Sequence, residues 1–315
     1  KVSVKYNNIL FKSNWHKYVL GTIKEVFKTY SVRHGLDVLI YSTLPIGKGV
    51  SSSAALVVAI ANGLLAIFNI IDTDFNIIKL AQRVDHLHVG INSGTLDQSA
   101  SQMSRKDSIL KIDFNRNSYK YIKSDFSKCH WVLVDSMVRR ELANSKYHER
   151  VQECKEGLLY LSKSISEEIS FRDLSLDIMD DLKKDKLLIF NRLRHVIEEN
   201  KRVSNMEKAI IYGELEEIGK ILIESHESLR DLYSVSCKEI DYIQNLSSRL
   251  SCWYGGRIMG GGFGGNTVNL IKKGSFKRYS DYLKINYSRK FGRIPEVYKV
   301  EFSDGVEIID NISAV

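Results

Sequence analysis

Apolar positions along the first third of the chain follow two periods, and each change of period marks an element. Between Asn14 and Tyr30 (NWHKYVLGTIKEVFKTY), Val19, Ile23, Val26 and Phe27 fall at helical spacing, which predicts a helix with one buried stripe and Asn14 as its N-cap. Gly35 resets the chain. The run Leu36–Tyr41 (LDVLIY) is short, apolar and partly β-branched, so it reads as a strand, and it leads into PIGKGVSSSAAL (Pro45–Leu56). From Ala54 to Ile71 polar residues almost vanish. That length would suit a membrane span, but Asn62, Gly63 and Asn69 interrupt it and neither aromatic nor basic anchors flank both ends, so a buried core helix is expected. Asp74–Gly90 reads as a further helix, capped by Asp74 and stopped by Gly90. The polar, small-residue stretch that follows (INSGTLDQSASQMS) begins as a loop and turns helical near Asp97.

Two short strands are expected next, Ser108–Phe114 and Trp131–Ser136, after which the texture changes. From Asn144 to Leu250 the pattern is heptad-like and laced with charge, with helices expected near 145–165, 177–184, 186–203, 206–212 and 214–231. The end of the chain returns to a glycine loop (Gly255–Gly265, GGRIMGGGFGG) and strands at Thr267–Ile271 and Val297–Phe302. No long repeat or low-complexity tract is visible. The chain therefore reads as α+β, with a domain boundary near 127–145.

Composition narrows the class. With 43% hydrophobic and 27% charged residues, the chain has the material for a full core, and its 315 residues suit two domains. The net charge of +8 is dispersed, Lys and Arg alternating with Asp and Glu as in Lys183–Lys186, so it describes a solvated surface and not a nucleic-acid or membrane partner. The four cysteines (129, 154, 237 and 252) show neither CxxC nor zinc spacing, as expected of a reduced, cytoplasmic protein. His86 and His88, two apart on a helix, point to different faces and make no metal pair. The chain starts at Lys1 without a signal-peptide pattern, and its start is expected to be truncated or processed.

The candidate chemistry begins at PIGKGVSSS. A strand feeding a glycine-rich turn and then a helix presents free N–H groups and the positive end of the helix dipole at one point. Gly47 and Gly49 permit close approach of a phosphate, and Ser51, Ser52 and Ser53 add hydroxyls for phosphate oxygens or magnesium. The spacing is neither a Walker A loop nor G-x-G-x-x-G. On residues alone, an anion site and a structural turn both remain open.

PIGKGVSSSAA (Pro45–Ala55) resembles the second motif of the GHMP small-molecule kinases, with Val50 where Leu is usual, and Gly255–Gly265 is similar to their third motif in its galactokinase form. Between them SGTLDQ (Ser93–Gln98), SKYHERVQEC (Ser145–Cys154), RHVIEENKR (Arg194–Arg202) and SHESLRDLYSVSC (Ser225–Cys237) resemble galactokinase segments in the same order. The resemblance implies the two-domain GHMP kinase fold, with a ribosomal protein S5-like N-terminal ATP-binding domain over 1–127, shortened in this chain, and an α/β C-terminal domain over 128–315. It implies ATP and Mg²⁺ as cofactors, a galactose-like sugar as substrate and phosphorylation of the anomeric hydroxyl. Asp97 takes the position of the catalytic base. Gly47, Gly49, Ser51, Ser52 and Arg139 would hold the nucleotide phosphates, and Trp15 and Tyr18 would pack on adenine. Ser53 and Asp85 would bind magnesium, Asp85 standing where the family has Glu, one methylene longer. Gly94, Asp97 and Tyr147 would face the sugar. His226 and Arg230 are read as structural. The family's G-R-x-N-L-I-G-E-H-x-D-Y segment does not occur between Lys1 and Trp15. That leaves two further expectations: a non-catalytic sugar- and ATP-binding regulator or remnant, or a GHMP kinase for another sugar such as N-acetylgalactosamine.

Overall fold

The computed structural model describes residues 14–32, 34–138, 143–165 and 168–309. They fall into two compact units, one of residues up to Tyr121 together with the stretch from Phe302, the other spanning Ile122–Glu301.

In the first unit the helical stripe forms α1 (Asn14–Tyr30) and the apolar run forms α2 (Ser52–Ile67). A third helix, α3 (Asp74–Val84), completes the core: Val26, Val58, Ala61, Leu80, Ala81 and Val84 are fully buried among them. Each larger aliphatic side chain of this kind contributes roughly 1.5–3 kcal/mol. The run that sequence length would allow as a membrane span is thus a core helix, and no helix among the described residues is long and apolar enough to cross a membrane. Its polar interruption serves packing. Asn62 donates to Gln102 of α4 (Leu96–Met103) at 2.7 Å, and Gln102 donates to Asp74 at 2.9 Å. The cap of α3 is Thr73, not Asp74: the Thr73 hydroxyl accepts from the Asn76 N–H, while Asp74 sits in the first turn where its charge suits the dipole.

Leu36–Tyr41 is not a strand. Its backbone finds no ladder partner among the described residues, and Leu39 is 96% and Tyr41 87% exposed. β-propensity describes fit to a pleated, half-buried surface, so a run without a neighbouring strand does not express it. The hairpin of β1 (Ser108–Asp113) and β2 (Ser118–Lys123) includes a strand whose polar sequence, SYKYIK, gave no apolar signal. Residues 302–306 return to this unit, with Gly305 and Val306 donating to the carbonyls of Ser104 and Ser101 and Val306 packed against the helical core.

The second unit is built on an antiparallel sheet ordered β4-β5-β3-β6, with β3 Cys129–Asp135, β4 Trp253–Ile258, β5 Asn266–Lys272 and β6 Glu296–Val300. Gly255–Ile258 belong to β4, so the glycine segment is half strand and half loop. Two helices that periodicity did not single out, α9 (Lys238–Ser248) and α10 (Phe276–Phe291), cover the sheet through Ile243, Leu246, Tyr279, Leu283 and Tyr287. A second cluster joins α5 (Ala143–Ile165), α6 (Asp180–Asp185) and α7 (Leu187–Tyr212) around Leu161, Met179, Leu182 and Leu193. α7 runs unbroken through the interruption expected between 203 and 206: the Ser204 hydroxyl bonds back to the Asn200 carbonyl, which satisfies it inside the helix. α8 (Leu215–Asp231) lies against β4 with Gly219 facing Gly255, and a Cβ on Gly255 would sit 2.6 Å from the Gly219 Cα. The close approach of helix and strand depends on both glycines.

Candidate active site

The turn before α2 carries positive φ at Gly47 (72°), Gly49 (69°) and Ser51 (57°). Alternation of this kind turns successive N–H groups toward one point, and Ser51, at the N-cap, makes no side-chain capping bond that would occupy them. The first-turn amides of α2 therefore receive no cap from Ser51, and the helix dipole at this end is of the sign that suits an anion. Ser52 and Ser53 open this helix, both half-buried.

Ser53 leads into a polar cluster drawn from four segments. The hydroxyls of Ser53 and Tyr18 are hydrogen-bonded; burial raises the Tyr18 phenol above its usual value, the nearby Asp85 charge adds to this, and the Ser53 bond opposes it. Asp85 is 7% exposed and begins a π-helical turn, Asp85–Val89, in which its carbonyl accepts from Gly90 N–H at 2.9 Å and from Ile91 N–H at 3.0 Å. π-turns inside helices recur at functional sites. Burial raises the Asp85 carboxyl, and the charge of Asp97 raises it further, against hydrogen bonds from Ser93 and Gln98. Asp97 is exposed at the second position of α4, so it is not that helix's N-cap, which is Thr95.

The π-turn is held on both sides. His88 Nε2 lies 2.9 Å from Glu25 Oε1 on α1, and Arg83 adds a bond to the other oxygen at 3.2 Å. Burial alone would push Glu25 up, yet these partners hold it below the usual carboxylate value. His86 turns the other way, its Nε2 2.9 Å from the Ser93 carbonyl, as the two-residue spacing predicts. Among the described residues no group of three or more His, Cys, Asp or Glu side chains could hold a metal.

The structure therefore brings Tyr18, Ser53, Asp85 and Asp97 to one neighbourhood in the first unit, next to Gly47, Gly49, Ser51 and Ser52. Tyr18 contacts the serine loop through its hydroxyl, while Trp15, one turn earlier, is 51% exposed and lies beside His16. Gly94 is exposed on the loop between Ser93 and Asp97. Tyr147 belongs to the second unit, where its ring lies along Gly261 of the glycine loop. That loop is clamped by Val235, whose carbonyl accepts from the Phe263 N–H at 2.6 Å. Arg139 lies outside the described residues. Ser93 and Gln98, both inside SGTLDQ, had no role assigned from sequence, although both bond Asp85.

Three of the motif segments meet in a half-buried ionic knot of the second unit. Glu199 of RHVIEENKR accepts from Arg257 of the glycine segment at 2.6 Å, from Ser225 of SHESLRD at 2.6 Å and from Arg202 at 2.7 Å. Burial works against the Glu199 charge, but Arg257, Ser225 and Arg202 together hold its carboxyl below the usual range. Beside it His195 bonds Ser228 at 2.8 Å, and His226 is buried with neither ring nitrogen hydrogen-bonded. Arg230 pairs with Asp231 at the surface end of α8. These residues lock α7, α8 and β4 together in front of the glycine loop.

The chain resembles known small-molecule kinases in sequence and in fold. Residues 17–105 match the family GHMP kinases N terminal domain. A galactokinase of Thermosipho africanus is 36% identical over 303 residues, 96% of this chain and 84% of that protein. The crystal structure of Lactococcus lactis galactokinase complexed with galactose superposes with a TM-score of 0.84 at 27% identity, covering 94% of this chain and 77% of that one. The Methanococcus jannaschii mevalonate kinase, at 19% identity and a TM-score of 0.62 over 93% of this chain and 78% of its own, shares the fold.

Proposed function

This chain belongs to the galactokinase family of GHMP kinases and is a phosphotransferase, and we propose that it transfers the γ-phosphoryl group of ATP to the anomeric hydroxyl of galactose. Asp97 is the base. As the anomeric oxygen bonds to the γ-phosphorus, its proton passes to the Asp97 carboxylate, the bond to the β,γ-bridging oxygen breaks, and ADP leaves with galactose 1-phosphate as the second product. Help of this kind is typically worth about 10²–10⁴-fold. The observation that carries the reading is the meeting of Ser53, Asp85 and Asp97, from three distant segments, beside the open amides of α2.

The serine loop would hold the phosphates through main-chain N–H groups of the Gly47–Ser53 stretch, with Ser51 and Ser52 adding hydroxyls. Ser53 and Asp85 fit magnesium. Their donors are hard oxygens, the Asp85 carboxylate is buried near a second negative charge and so favours a cation, and magnesium is usually held by one or two carboxylates with phosphate oxygens and water. When bound, the ion neutralises charge on the transferring phosphoryl group. Gly94 would face the sugar and Trp15 the adenine.

The test is to incubate the purified protein with ATP, Mg²⁺ and, in turn, galactose, N-acetylgalactosamine, glucose and mannose, and to follow ADP release and the phosphorus resonance of the sugar phosphate. Galactose-dependent release with a 1-phosphate product is expected. Release with another sugar alone would overturn the substrate assignment, and binding of ATP and galactose without transfer would make the protein a regulator.

A further inference from the structure

The loop that presents Gly94 and Asp97 is fastened at both ends to one atom. Ser93 Oγ donates to Asp85 Oδ2 at 2.8 Å, and Gln98 Nε2 donates to the same oxygen at 2.6 Å. The Ser93 carbonyl is fixed in turn by Gln82 Nε2 at 3.0 Å and by His86 Nε2 at 2.9 Å. Gln98 is 2% exposed, follows Asp97 directly on α4, and keeps its Oε1 buried without a hydrogen-bond partner among the described residues. An orphaned buried acceptor is destabilising. A glutamine retained at that cost is held by what its other end does, and its other end grips Asp85.

We propose that Ser93 and Gln98 are positioning residues that couple the metal carboxylate to the sugar loop, so that the cation–nucleotide complex and the sugar strengthen each other's binding. The inference rests on Asp85 as a magnesium ligand and on Gly94 and Asp97 as sugar-facing positions. Two donors on Oδ2 fix the plane of the carboxylate and leave Oδ1 as the oxygen engaged by neither. A shift of that carboxylate toward a cation pulls both ends of the Ser93–Gln98 segment together, because each end is bonded to it and Ser93 is also pinned at its carbonyl. Any such coupling is reciprocal: whatever factor the nucleotide complex adds to sugar affinity, the sugar adds to nucleotide affinity.

The experiment is calorimetric titration of galactose into the protein alone and into the protein saturated with Mg²⁺ and a non-hydrolysable ATP analogue. The wild type is compared with Ser93→Ala, Ser93→Thr and Gln98→Leu, each checked for a cooperative melt. In the wild type the galactose Kd is expected to tighten about 5-fold or more when the nucleotide complex is present, the lower range of ordinary coupling. In Ser93→Ala and Gln98→Leu the ratio is expected to fall within twofold of one, and Ser93→Thr, which keeps the hydroxyl, is expected to restore it. A merely structural role would weaken both affinities and leave their ratio alone. An unchanged ratio in the two disruptive variants, or no coupling in the wild type, overturns the inference while leaving the proposed reaction standing. Failure of galactose to bind the wild type in either state overturns the reaction itself. The reverse titration, nucleotide complex into protein with and without galactose, must return the same factor and serves as a second measurement where one variant folds poorly.

Discussion

Acidification to pH 5 is expected to weaken the second unit well before its carboxylates titrate, and the two buried histidines of the ionic knot are the reason. Burial lowers both His195 and His226 to about 4 from an ordinary value of 6.5. For His195 the Glu199 charge opposes this while Arg202 and Arg257 add to it; for His226 the Asp241 carboxylate, 3.7 Å from Nε2, opposes it, and burial still wins. Both folded values lie below the unfolded one, so neutral imidazole is the folded form. The stabilisation is complete above pH 6.5 and is lost as pH falls from 6.5 toward 4, because the unfolded chain binds protons that the folded chain refuses. Between pH 7 and pH 5 the loss comes to about 2 kcal/mol per histidine, or about 4 for the pair. That is a large share of the roughly 5–15 kcal/mol by which folded domains are stable. The assay is urea denaturation at pH 7, 6 and 5 followed by tryptophan fluorescence, with Trp131 and Trp253 inside the unit as reporters. His195→Gln and His226→Gln should each remove about half of the pH dependence, and the slopes are compared, not the absolute stabilities. A change under about 1 kcal/mol between pH 7 and 5, or an equal slope in the double variant, would refute the reasoning.

Asp97→Asn should lower kcat by about 10²–10⁴-fold while nucleotide binding, followed with a fluorescent ATP analogue, stays within a few-fold; because Asp97 is exposed, the fold loses only its helix-dipole interaction, about 0.3–1 kcal/mol, and the Tm falls by a few degrees at most. Ser53→Ala should raise the Mg²⁺ concentration for half-maximal activity about 10-fold or more, read from steady-state rates across a magnesium series. Gly255→Ala drives a Cβ to within 2.6 Å of the Gly219 Cα and should cost about 1–3 kcal/mol or more in thermal melting. Gly63→Ala, inside α2 with nothing within 4 Å of the added carbon, should stabilise by about 0.4–1 kcal/mol, and the two glycines separate close packing from backbone entropy in one experiment.

What could be read from the chain divides by range. α1 and α3 were legible because their stripes are local, and the serine loop because Gly47, Gly49 and three serines sit in sequence before an apolar helix. Leu36–Tyr41 misled because a strand is a property of a pair, and composition cannot show whether the neighbour is present. Gly255–Ile258 hid a strand because glycine carries no apolar signal; its reason for being there is Gly219, 36 positions earlier in sequence and adjacent in space. The π-turn at Asp85 was invisible for a different reason. Its sequence, DHLHV, continues a helical pattern, and the bonds that accompany the changed register, His88 to Glu25 and Ser93 to Asp85, involve partners outside the helix. The same holds for the site: Asp97 and Asp85 were named from motif resemblance, but the partners that orient Asp85 appeared only once Ser93 and Gln98 were placed around it. The Glu199 knot ties together three motif segments far apart in sequence, Arg194–Arg202 supplying Glu199 and Arg202 and the other two supplying Ser225 and Arg257.

The return of residues 302–306 to the first unit sets an order of assembly during synthesis. The helical core beneath the serine loop includes Val306, and Gly305 closes onto Ser104, yet 180 residues of the second unit, Ile122–Glu301, are translated in between. At about 5–20 residues per second the ribosome needs roughly 10–40 s to cover that distance. The sheet and helices of the second unit can settle in that interval, whereas the unit begun first is finished last. The cost of closing so long a connection is small, because loop entropy grows only with the logarithm of length. The delay is what matters: α2 waits on an incomplete core, and a nascent chain stopped at Glu301 would carry every residue of the serine loop while the unit still lacked Val306 and the bonds to Ser101 and Ser104.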